Sequence, residues 1–137
     1  MQVERWRSEN REQKSDRKST MHDMDYRKLD VYQRAHALFP KIYRLVRTWK
    51  QIDQREIGSQ IIRAANSIHA NIAEGSNKSV PDFKRYISIA IGSCDELVSH
   101  INDAVSIGLV NSIIGEQLVD DYRIVDKQLT RLKQHWK

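Results

Sequence analysis

Five histidines, one cysteine and a spaced set of polar side chains are the places where this chain could do chemistry. His22, His36, His69, His100 and His135 never pair at the separations a metal site uses, and Cys94 stands alone, which excludes an intrachain disulfide and a cysteine-based zinc site. The nearest constellation is Glu96, His100 and Asp103, which share a helix face at steps of four and three. A carboxylate site in a helical bundle needs Glu-x-x-His pairs repeated on facing helices. One copy with different spacing reads better as a solvated or interfacial polar face. Cys94 in mid-helix reads as a small core residue rather than a reactive thiol. With no phosphate loop and no nucleophile elbow, the chain reads as non-enzymatic and free of metal and cofactor.

The other polar set is Arg63, Ser67, Asn71 and Glu74, followed by Ser93, Asp95 and Glu96. A helical hairpin turning near Asn77 sets Ala64 and Ala65 opposite the stretch Ala90 to Gly92, so small residues meet and the two helices can approach closely. In that register Ser67 and Ser93 come within hydrogen-bonding reach. Arg63 falls within about one turn of Asp95 and Glu96, which predicts an interhelical ion pair that fixes register. A structural role is the main reading of this cluster, and a ligand site is the alternative.

Elements able to position these groups are legible in the apolar spacing. Val31, Ala35, Leu38, Ile42, Leu45 and Trp49 recur at steps of four and three and form one stripe of a first helix. Tyr32, Phe39, Tyr43 and Val46 form a second stripe, and an arc that wide exceeds the need of one core, so these four are candidate oligomer-interface residues. Pro40 predicts a kink between Ala37 and Pro40. A second helix is expected over Gln54 to Glu74, ended by Gly75 as a left-handed cap. Ser79 is the expected N-cap of a third helix that carries Pro81 and Asp82 in its first turn and runs to Gly108. The fourth starts near Asn111 or Ser112, is weakened at Gly115, and keeps its spacing through Leu118, Tyr122, Val125, Leu129, Leu132 and Trp136. The economical fold is all-α: an antiparallel up-down four-helix bundle over residues 29–137.

Residues 1–28 are different material. Eight basic and six acidic groups surround Val3, Trp6, Met21, Met24 and Tyr26, too little apolar surface to offset chain entropy. This segment reads as a disordered or frayed polar extension, with Met24 as an alternative start and a short helix docking through Trp6 as the other reading. No apolar run approaches the ~18 residues of a membrane span, so a cytoplasmic protein without a membrane partner is expected.

The charge is unevenly spread. Within a formal net charge of +5, Val31 to Lys50 holds Arg34, Lys41, Arg44, Arg47 and Lys50 without one acidic residue. A second basic series, Arg123, Lys127, Arg131, Lys133 and Lys137, follows the fourth helix. Adjacent first and fourth helices could merge both series into one nucleic-acid surface. Against this, Glu116, Asp120 and Asp121 could neutralise the end of the first helix.

Three motifs carry a resemblance: LDVYQRA at Leu29 to Ala35, QIIRAANSIHANIAEG at Gln60 to Gly75, and IAIGSCDEL at Ile89 to Leu97. Over roughly Leu29 to Val110 the chain resembles the small bacterial four-helix-bundle proteins encoded in intervening sequences of 23S ribosomal RNA genes, whose relatives include accessory proteins of reverse-transcriptase retroelements. The resemblance implies a bundle that assembles as a ring, commonly a pentamer, an association with RNA, and no catalysis. This chain departs from the pattern at Ile62, where relatives often carry a second arginine before Arg63. It departs again at His69, where a proline is common, and after Gly75, where only Lys78 is basic. Two functional readings follow: an oligomeric RNA-associating protein, or a scaffold that binds a partner protein without touching nucleic acid.

Overall fold

The computed structural model describes residues 24–136. The polar extension read from the sequence, with Trp6 and His22, lies outside the described residues up to position 23, as does Lys137. Its last residues are ordered: Asp25 accepts the Arg27 backbone N–H at 3.1 Å and caps a 3-10 turn, Tyr26–Lys28. Met24 and Leu29 are buried on either side of it. Packing therefore begins before Leu29, because two well-placed apolar side chains suffice where average composition suggested none.

Helix α1 spans Asp30–Arg47 and continues through Pro40, which has no N–H to give the His36 carbonyl. Its buried stripe is Val31, Ala35, Leu38, Ile42 and Val46, with Leu45 half-buried. Val46, at 1% exposure, is core and not interface. At ~100° per residue Leu45 and Val46 lie at opposite edges of the same apolar arc, and the next helix covers the Val46 edge. Trp49 is buried beyond the helix end, and Gln54 Nε2 donates to its carbonyl at 2.8 Å across the turn.

The second long element enters through a helical turn, Gln51–Asp53, and a π-helical stretch, Gln54–Gly58, and continues as α2, Ser59–Gly75. Gly58 is required by proximity: a Cβ there would collide with Val46 Cγ1. Gly75 is not the left-handed cap expected of it. Ser76 closes α2 in right-handed geometry, donating its hydroxyl to the Ala73 carbonyl at 2.6 Å. Gly75 is needed instead because a Cβ would come within 2.8 Å of Tyr86 Cβ.

Helix α3 spans Val80–Ser106, with the expected Ser79 N-cap accepting from Asp82 N–H at 3.4 Å. It ends in a Schellman motif: Leu109 N–H reaches the Ala104 carbonyl at 2.9 Å, Gly108 N–H the Val105 carbonyl at 3.1 Å, and Gly108 supplies φ +82°. Asn111 then caps α4, Ser112–His135, accepting from Ile113 N–H at 2.8 Å. Gly115 is buried against Val105, which a Cβ would strike.

The helices form an antiparallel four-helix bundle. The α2–α3 packing is the most extensive, then α3–α4 and α1–α2, while α1–α4 is the thinnest. Phe83, Ile87, Ala90, Leu97, Ile68, Ile72, Tyr122 and Leu129 fill the centre. Trp136, at the end of the apolar spacing of α4, is 1% exposed and packs on Phe83 with ring centroids 5.5 Å apart.

Candidate functional site

Helix α1 presents a different chemistry on each flank. Toward α4 lie two adjoining clefts of about 460 Å³ each, one lined by Arg34, Leu38, Lys41 and Gln128 among others, the next by Lys41, Arg44, Leu45 and Leu118, with Asp121 lining both. From α1 the first cleft is lined by Asp30 and Gln33 as well as Arg34 and Lys41, and the second by Lys41 and Arg44 beside apolar Leu45, Ile114 and Leu118. Arg34, Lys41, Arg44, Arg47 and Lys50 are all exposed. The ion pairs among the described residues are Arg27–Asp25, Lys78–Glu74, Arg85–Asp82 and His100–Glu96, so no acid neutralises the α1 cations by direct pairing. Asp121 faces them across the clefts without closing a bridge.

The fourth helix extends this cationic series little. Arg123, Lys127 and Arg131 are exposed, but the α4 residues lining the clefts are Ile114, Gln117, Leu118, Asp121 and Gln128. At ~100° per residue Arg123 and Lys127 point to the outer face of α4, while Arg131 lies about 60° round from Gln128, at the edge of that line. Most of the α4 series is thus a surface apart from the α1 cations.

Toward α2, α1 is aromatic. Tyr32 stacks on His36 at 5.6 Å and meets Tyr26 edge-on at 4.9 Å. His69 of α2 inserts among them, 5.4 Å from His36, 5.5 Å from Phe39 and 6.0 Å from Tyr32, all edge-to-face. His69 is 8% exposed and its Nδ1 has no conventional partner; the surrounding rings offer π faces to an N–H. Desolvation, then the neighbouring His36, pushes the His69 pKa below the usual histidine value. Tyr32 and Phe39, expected as interface residues, are half-buried in this seam, and only Tyr43, at 43%, stands clear. Arg47 lies over the Tyr43 ring at 5.7 Å and donates to its hydroxyl at 3.3 Å. From the sequence, His69 is visible only as a departure from a common proline, and nothing there signals the cluster.

The α2–α3 seam brings together three of the seven residues of its expected polar set. Ser67 and Ser93 hydroxyls meet at 2.8 Å, and Asn71 Nδ2 donates to Ser67 Oγ at 2.9 Å. The Arg63 pair does not form. Arg63 is exposed, Glu96 bonds His100 at 3.2 Å one turn along its own helix, and Glu74 pairs at the surface with Lys78 at 3.7 Å. A level in register is necessary for an interhelical pair but does not aim two exposed side chains at each other. Asp95 faces another acid instead: the Asp126 carboxyl is raised by desolvation, then by a hydrogen bond to Asp95 and by its charge. Beside them Cys94 donates its thiol to the Tyr122 carbonyl at 3.3 Å, and burial raises that thiol to about 12, as suits a packing residue. No group of three or more metal-ligating side chains occurs among the described residues.

The sequence pattern of 23S rRNA-intervening sequence proteins matches residues 27–131. The chain belongs to that family. Its fold is similar to that of a crystal structure of a protein of unknown function from the S23 ribosomal protein family of Bacteroides thetaiotaomicron, with TM-score 0.70 and 21% identity over 76% of this chain and 95% of that one. At that identity the likeness speaks to the fold. No curated protein matches the chain. The family match covers both flanks of α1 and the whole α2–α3 seam, and no helix is long and apolar enough to cross a membrane among the described residues.

Proposed function

We propose that this protein is a non-enzymatic, self-associating bundle of the cytoplasm that binds RNA electrostatically through the cationic side of α1. The observation that carries this reading is the set of four exposed α1 cations, Arg34, Lys41, Arg44 and Arg47, with exposed Lys50 just beyond the helix end, none of them ion-paired with a described residue. Unpaired cations clustered on one element add little to stability but release counterions when they meet phosphates. Tyr43, exposed beside Arg44 and Arg47, adds a ring on which an unpaired base can stack. Because most of the α4 series faces elsewhere, a single chain offers a modest patch, and assembly into a ring, as in a pentamer, would make it multivalent. Exposed Tyr43 and the exposed isoleucines Ile52, Ile89, Ile107, Ile113, Ile114 and Ile124 are the large apolar side chains left for such assembly among the described residues.

The test is RNA affinity against salt. Wild-type protein should bind unrelated single-stranded RNAs similarly at about 50 mM salt and lose affinity steeply as salt rises. Absence of binding at that salt would favour the second reading, a scaffold for a partner protein such as a subunit of a reverse-transcriptase system.

A further inference from the structure

Arg63 is the residue whose place in the fold remains unexplained. Its sequence position suggested an ion pair, yet it makes no hydrogen bond or ion pair with any described residue. It stands at the rim of a cleft of about 400 Å³ between α2 and α3, lined also by Gln60, Ser67, Ser93 and Glu96, a volume at the small end of ligand sites. At its floor is the Ser67–Ser93 hydroxyl pair.

The proton count there is informative. Two hydroxyls carry two hydrogens, and the bond between them uses one. Asn71 Nδ2 donates to Ser67 Oγ and takes up no hydroxyl hydrogen. Whichever serine donates to the other, one O–H is left with a hydrogen to give, and both serines line the cleft. Ser93 is itself only 8% exposed. The cleft thus offers the Arg63 guanidinium from α2, one hydroxyl donor from the Ser67–Ser93 pair, and the Glu96 carboxylate from α3, with one oxygen engaged by His100.

We infer that this cleft is a binding site for a small molecule that carries an oxyanion, phosphate or carboxylate, together with an N–H donor. Arg63 and the free serine hydroxyl hold the oxyanion, because a planar guanidinium matches either group in a two-bond fork. Glu96 takes the N–H. Its negative charge disfavours a bare anion, so both ends of the ligand are needed. The site shares no residue with the cationic side of α1 and does not depend on RNA binding.

Two probes cover the two sources of this chemistry: guanosine 5′-monophosphate, a phosphate with ring N–H groups, and L-glutamate, a carboxylate with an ammonium. Titrated into the full chain and followed by the amide resonances of Ser67 and Ser93, at least one should bind with a dissociation constant of about 1 mM or tighter. Arg63→Gln should weaken that binding about tenfold or more while leaving the melting temperature unchanged, since Arg63 is exposed and unpaired. Glu96→Gln should weaken it too, and Lys41→Gln with Arg44→Gln should not. No shift from either probe at about 10 mM, or equal affinity in Arg63→Gln, overturns the assignment.

Discussion

The two flanks of α1 make opposite uses of one helix. On the α2 side, Tyr32 and Phe39 are drawn against His69, and Val46 against Gly58. On the α4 side, Arg34, Lys41 and Arg44 border clefts of about 460 Å³ that the neighbouring helix does not fill. A wide apolar arc therefore need not mean a second interface: half of it is consumed by an aromatic seam inside the bundle. What remains unconsumed on α1 is charge and the exposed Tyr43, and these are the parts available for a partner.

The sharpest way to break this contrast is to put a charge on the closed flank. Val46→Asp places a carboxylate where exposure is 1%, and urea unfolding should show a drop in stability of about 3 kcal/mol or more. A fold that tolerates it would mean the α1–α2 seam is not core. Gly58→Ala should cost about 1–3 kcal/mol, because the new Cβ meets Val46 Cγ1, whose β-branched side chain is stiff and packed.

Smaller, and specific to the aromatic seam, is a pH effect at His69. Its folded pKa lies below the unfolded value of about 6.5, so the unfolded chain binds the extra proton first. Its contribution to stability is complete above about pH 6.5 and is lost as pH falls through the lowered folded pKa. Thermal midpoints measured from pH 7.5 to 5 should fall, and His69→Phe should flatten that fall. An unchanged slope in His69→Phe would place the titrating group elsewhere. At the open flank, Lys41→Gln should leave stability within about 0.5 kcal/mol of wild type.

What could be read from sequence divides along the same line. Local rules worked at the helix ends and in the hairpin: Ser79 caps α3 as expected, Asn111, one of the two expected starts of α4, caps that helix, and small residues in α2 and α3 set the register that joins Ser67 to Ser93. Glycine roles did not follow from position alone. Gly75 and Gly108 both end helices, yet only Gly108 has positive φ, since Ser76 continues right-handed while Leu109 bonds back to Ala104. Side-chain aim was the least readable. Register put Arg63 beside Asp95 and Glu96, but exposed side chains find nearer partners or none, and the acid that meets Asp95 is Asp126 of α4. The family motifs cover the start of α1, α2 and the middle of α3, so the fold was readable while the α1 clefts, built from two helices distant in sequence, were not.

The central claim is that the open flank of α1 binds RNA by charge, and the most direct measurement compares wild type with the Lys41→Gln, Arg44→Gln, Arg47→Gln triple variant. Affinity for two unrelated single-stranded RNAs is measured from about 50 to 200 mM salt. The variant should bind both more weakly by a similar factor. Its slope of log affinity against log salt should be shallower by roughly 0.7 for each single-strand phosphate that the protein no longer neutralises. Equal affinity and equal slope in the variant, with wild-type binding intact, would contradict the account.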